Sequence, residues 1–176
     1  MAQFVLFLIF CQALGALTGA VTALWGEMAY VFALRDGKID VAERSHLRII
    51  GHGLRWGMTL LLLSSFALVV VSYVSEGMMQ PALTSSYWIF IALALLIIII
   101  SSALARRRIS FAFGSAATFT AWWFLFYLAF GLLPAITFGV AVAIYVVLVG
   151  IMYALFSYIR FLVLDRTTKR RSPKKV

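Results

Sequence analysis

Long apolar runs separated by short polar segments make up most of this chain. The first goes from Phe4 to Leu34 and is interrupted by Gln12 and Glu27. A helix needs about 20 apolar residues to cross a bilayer. This run therefore predicts a span that tilts or continues past the headgroups. The polar segment RDGKIDVAERSHLR follows, and further apolar runs predict spans over 54–74, 87–104, 111–130 and 136–158. Each run is about twice the length of a barrel strand, and none alternates with period two. The expected fold is all-α: a polytopic membrane protein whose five transmembrane helices form one bundle over residues 1–160, with a basic tail over 161–176.

Charge orients the bundle. The fifteen Lys and Arg residues fall in three clusters: Arg35 to Arg55, Arg106 to Arg108, and Arg160 to Lys175. The loop SEGMMQPALTSS, the turn GLLPA and the N-terminus contain no Lys or Arg. Basic loops stay on the cytoplasmic side. Five spans put all three clusters on that side, whereas four or six would not. The expectation is an outside N-terminus and a cytoplasmic C-terminus in a bacterial-type plasma membrane. The N-terminus lacks a basic n-region and its apolar run exceeds an h-region, so it reads as a retained first span.

Composition agrees with a lipid solvent. Hydrophobic residues are 64% of the chain, charged residues 12%, and the mean hydropathy is +1.04. Soluble chains run about 45–50% apolar and about 25% charged. The formal charge of +9 is then explained by cytoplasmic anchoring at anionic lipid rather than by nucleic acid. Arg106, Arg107, Arg108, Lys169, Arg170 and Arg171 are the expected headgroup contacts. The tail RTTKRRSPKKV reads as disordered.

Small residues mark the packing faces. Gly15, Thr18, Gly19, Thr22, Ala23 and Gly26 share one face of the first span, and Gly15 and Gly19 form GxxxG. Gly53, Gly57 and Ser64 share a face of the second. Such faces let backbones approach closely, either within one subunit or between copies. His52, Arg55 and Thr59 lie on a different, polar face. Span three, with IFIALALLIIII, has no polar residue in its middle and is expected to face lipid. Span four carries Phe119, Trp122, Trp123, Phe124, Phe126, Tyr127 and Phe130, which read as an aromatic belt.

Glu27 is the residue most out of place. A carboxylate at that depth costs about 2.5–3.5 kcal/mol on insertion scales. It reads either as a proton or cation site, with His52 and Arg55 as the groups that meet it across the bundle, or as an interfacial Glu shielded by Trp25 and paired with a nearby Arg. His52 and Arg55 have their own interfacial reading, with Arg55 snorkelling to the headgroups.

Other chemistry lacks its residues. Cys11 is the only cysteine, which leaves no intrachain disulfide or Cys-based zinc site. His46 and His52 are six residues apart, on different helix faces, and do not make a paired ligand set. No lysine lies within a span to form a Schiff base. DGKIDVAE fits the back half of a calcium loop, but Phe32 and Leu34 stand where its first acidic ligands belong. No Walker loop, HExxH, GxSxG or paired carboxylate within a span is present. No enzyme activity, metal or cofactor is expected.

Leu14–Ser65 resembles the front half of certain small bacterial multi-spanning membrane proteins. In these a Gly/Ala-rich first span runs into an acidic residue and a phrase like FALRDGKID, and the second span opens with an aromatic-Gly pair, here Trp56 and Gly57. It is also distantly similar to copper-resistance D and cytochrome b561-type bundles, whose hallmark histidines within the spans are absent here. The resemblance implies a helical bundle and brings no activity with it. Three functions follow from the residues: a transport or channel-like protein, expected to be a homo-oligomer, with Glu27 as its embedded carboxylate; a non-transporting membrane subunit that assembles with a partner or anionic lipid; and a haem-bearing electron carrier.

Overall fold

The computed structural model describes the backbone of residues 2–36, 41–75, 81–134 and 136–171, and side chains within 2–33, 49–75, 81–134 and 136–163. Among these residues the secondary structure is helical throughout. There are five long helices: α1 (Ala2–Asp36), α2 (Val41–Val74), α3 (Ser85–Ala105), α4 (Phe111–Ala129) and α5 (Phe138–Arg171), with one 3₁₀ turn at Pro81–Leu83. All five are long and apolar enough to cross a membrane.

Two helix boundaries differ from the sequence expectation. α2 begins at Val41: no proline lies between Val41 and Leu54, and the Ala, Glu, Arg and Leu residues there are good helix formers. α5 continues through Arg171, which corrects the expectation of disorder over Arg166–Arg171. Leu, Arg and Lys are good helix formers, and cations near a C-terminus complement the helix dipole. Lys169, Arg170 and Arg171 lie outside the described side chains, as do Arg35, Lys38, Arg44, His46 and Arg48.

The glycine faces of α1 and α2 meet each other. A Cβ on Gly15 would lie 2.8 Å from the backbone nitrogen of Leu61 and 2.9 Å from the carbonyl oxygen of Gly57. One on Gly57 would lie 2.9 Å from the carbonyl oxygen of Gly15 and 3.0 Å from the nitrogen of Gly19. Further along, Gly53 faces Thr22 and Gly26 faces Ile50. Rising numbers on α1 thus meet falling numbers on α2, and the helices run antiparallel in backbone contact. Ala16, Ala20 and Ala23 are buried beside this seam.

α4 lies at the centre, touching α1, α3 and α5. The indole of Trp122 is fully buried and occupies the volume a side chain at Gly19 would need. Trp122 is therefore a core residue rather than a belt residue, whereas Tyr127 and Phe130 are exposed. Leu61, Leu125, Phe124 and Ala121 complete the core together with Ile89, Phe90, Leu93, Ala94 and Ile97 of α3. α3 is thus two-faced: Leu95, Ile98 and Ile99 are exposed while those five are buried. An all-apolar helix shows no polar face from which its buried side could be read, since lipid and protein interior accept the same residues.

α5 packs against α4. Val149 packs with Ala117, Tyr145 donates its hydroxyl to the carbonyl of Ala117 at 3.0 Å, and the ring of Phe156 meets that of Phe119 at 5.2 Å. Further along, α5 also reaches α1.

Candidate functional site: a caged ion pair between α1, α4 and α5

Arg160 of α5 reaches Glu27 of α1 while still in contact with α4. Its Nη2 donates to Glu27 Oε2 at 2.8 Å and to Ser115 Oγ of α4 at 2.8 Å. Both ionic side chains are nearly buried, at 10% and 11% relative exposure for Arg160 and Glu27. One nitrogen thus joins α5 to its neighbour α4 and to α1, 133 positions away.

The guanidinium is also enclosed by rings. Its Cζ lies 4.9 Å from the ring centroid of Tyr30, 5.5 Å from that of Phe111 and 5.9 Å from that of Phe156. Tyr30 and Phe111 pack on each other at 4.2 Å. A guanidinium is planar, delocalised and weakly hydrated, so it stacks on aromatic faces where an ammonium would lose more hydration. Water excluded by the rings strengthens the attraction to Glu27, because the local dielectric is low. The fork is only partly used: Nε of Arg160 is buried with no hydrogen-bond partner among the described residues.

Local structure explains the convergence. Glu27 follows Gly26 on the small-residue side of α1, and Ser115 follows Gly114, which lies against Leu104 of α3. Ser110 caps α4 by accepting from the backbone N–H of Phe113, which places Phe111 on the first turn beside Tyr30. The site therefore lies at the end of the bundle that carries the Arg106–Arg108 turn.

This geometry revises the partners expected for Glu27. Among the described residues its ion pair is with Arg160, while His52 and Arg55 are exposed on α2. Trp25 is exposed as well. Arg160 had been grouped with the basic tail. The signal that separates it is its setting, YIRFLVL: apolar residues flank it on both sides, and the polar tail starts only at Asp165. Arg106, Arg107 and Arg108 are exposed. Gly15, Gly19, Ala23, Gly26, Gly53 and Gly57 pack within the subunit, so that seam is already occupied.

The arrangement holds three helices together and neutralises a charge inside the bundle. Among the described residues no group of three or more His, Cys, Asp and Glu side chains could hold a metal ion. Comparison with protein-family models, curated proteins and solved structures finds no match for this chain.

Proposed function

We propose that the chain is a non-transporting membrane subunit, which assembles with a partner in the bilayer and uses the Glu27–Arg160–Ser115 clasp to fix its own shape. One observation carries this reading: the carboxylate of Glu27 is already paired with a buried arginine inside an aromatic cage. A carboxylate that carries ions must exchange partners during each cycle. Removing one member of a buried pair strands the other charge, typically at about 3–5 kcal/mol, and that barrier opposes such exchange. In the same reading the basic end faces the cytoplasm of a bacterial-type cell.

A second reading has its own support. Ser65 Oγ, Thr118 Oγ1, Trp122 Nε1 and Trp123 Nε1 are buried without hydrogen-bond partners among the described residues. Polar groups left unpaired inside a bundle favour an interior that admits water, and a transport route would need one. In that case Glu27 and Arg160 form a charge-paired gate at its cytoplasmic end.

Flux separates the two. Purified protein reconstituted into liposomes should pass protons, sodium and potassium no faster than empty liposomes, for the wild type and for Glu27→Gln alike. A wild-type flux above that of empty liposomes would overturn the subunit reading, and a further rise in Glu27→Gln would support the gate.

A further inference from the structure

The same helix-ending motif occurs twice in this chain, with opposite chemistry. At the end of α4, Gly131 has φ 64°, the N–H of Gly131 donates to the carbonyl of Leu128, and the N–H of Leu132 donates to that of Tyr127. At the end of α3, Arg107 has φ 54°, the N–H of Arg107 donates to the carbonyl of Leu104, and the N–H of Arg108 donates to that of Ala103. Both are Schellman turns, whose left-handed position is usually glycine because a side chain there crowds the backbone. Gly131 meets that demand. Arg107 is the one non-glycine residue with positive φ among those described.

The location makes the choice harder to explain by anchoring alone. Arg106, Arg107 and Arg108 are consecutive and exposed, so three like charges repel within one turn. The preference for basic cytoplasmic loops would be met equally by Arg106 and Arg108 around a glycine. Strain at a single residue is kept where something else gains from it. Arg106, Arg107 and Arg108 are all exposed at this tight reversal between α3 and α4. Phe111 and Phe113, on the first turn of α4, are exposed as well, apolar surface suited to acyl chains. Guanidinium groups bind phosphate oxygens by paired, charge-assisted hydrogen bonds.

The geometry points to a binding site at the Arg106–Arg108 turn for the phosphodiester headgroup of an anionic phospholipid, with Arg107 as the residue that confers it. This rests on the membrane reading of the chain and is independent of the Glu27–Arg160 clasp.

The test uses the full chain in nanodiscs with photoactivatable phosphatidylglycerol or phosphatidylcholine, mapping the crosslinks by mass spectrometry. Residues 98–113 should be labelled by the anionic probe about fivefold more than by the zwitterionic one, the ratio expected from one well-placed cation near the surface. Arg107→Gly and Arg107→Gln should both remove that preference. Arg107→Gly should melt at or above the wild-type temperature in phosphatidylcholine, because glycine suits the turn. Undiminished labelling in Arg107→Gly overturns the site. So does a loss in Arg107→Gly without a loss in Arg107→Gln, which would assign the effect to turn geometry rather than charge. A lower melting temperature for Arg107→Gly would make Arg107 a structural residue. Displacement of the label by millimolar inorganic phosphate, but not by chloride of equal ionic strength, would make it a site for free phosphate rather than lipid.

Discussion

Gly57→Ala and Gly150→Ala place the same methyl group on two helices and should change stability in opposite directions. At Gly57 the new carbon would meet the carbonyl oxygen of Gly15 at 2.9 Å and the nitrogen of Gly19 at 3.0 Å. Both are backbone atoms, so no side chain can rotate away. α1 and α2 must separate by several tenths of an ångström along the seam, loosening Ala16, Ala20 and Leu61, all fully buried. Overpacking of this kind costs about 1–3 kcal/mol. At Gly150 a Cβ meets nothing within 4 Å, and alanine in a helix interior is favoured over glycine by about 0.5–1 kcal/mol. Both helices gain that preference, so reversible unfolding in mixed micelles should separate the two variants by the overpacking cost alone, about 1–3 kcal/mol, with wild type between them. Gly57→Ala at or above wild-type stability would refute the close α1–α2 approach.

Arg160→Lys should keep an attraction to Glu27 but lose the stacked cage and the shared contact with Ser115, and unfold between wild type and Arg160→Met in the same assay. Reporter fusions at Gln80 and Val176 should read external and cytoplasmic; the same side for both would contradict the proposed orientation. Deletion of 167–176 should leave the bundle folded, since the segment TTKRRSPKKV is almost wholly polar, while adhesion to anionic vesicles weakens and loses most of its salt dependence. A deletion variant that fails to fold would show that this segment packs into the bundle.

The sequence made some of this structure legible because polar and apolar residues separate sharply in a membrane protein. Five helices could be read from run length alone, and Glu27 stood out because carboxylates are costly among apolar residues. Its partner was harder to see. Arg160 lies 133 positions away, and by charge counting it belongs to the basic tail; only the packing of α5 against α1 and α4 brings it to Glu27. The glycine faces were visible as stripes, but a stripe does not say which helix fills it: Gly15 and Gly57 lie against each other, while the space beside Gly19 is taken by Trp122 of α4. The buried side of α3 was illegible for a physical reason: lipid and core select the same side chains, so no amphipathic pattern remains. Trp122 misled in the same way, since an indole suits both an interfacial belt and a cavity opposite a glycine.

The ion pair at the centre of the account is tested most directly by a double-mutant cycle in mixed micelles, comparing Glu27→Gln, Arg160→Met and the double variant with wild type. Each single substitution should cost about 3–5 kcal/mol, because it leaves the other member buried without its counter-charge. The double variant should be more stable than the sum of the singles by about 2 kcal/mol or more, the coupling expected of groups in direct contact. Single variants near wild-type stability whose effects simply add would mean that Glu27 and Arg160 do not hold α1, α4 and α5 together.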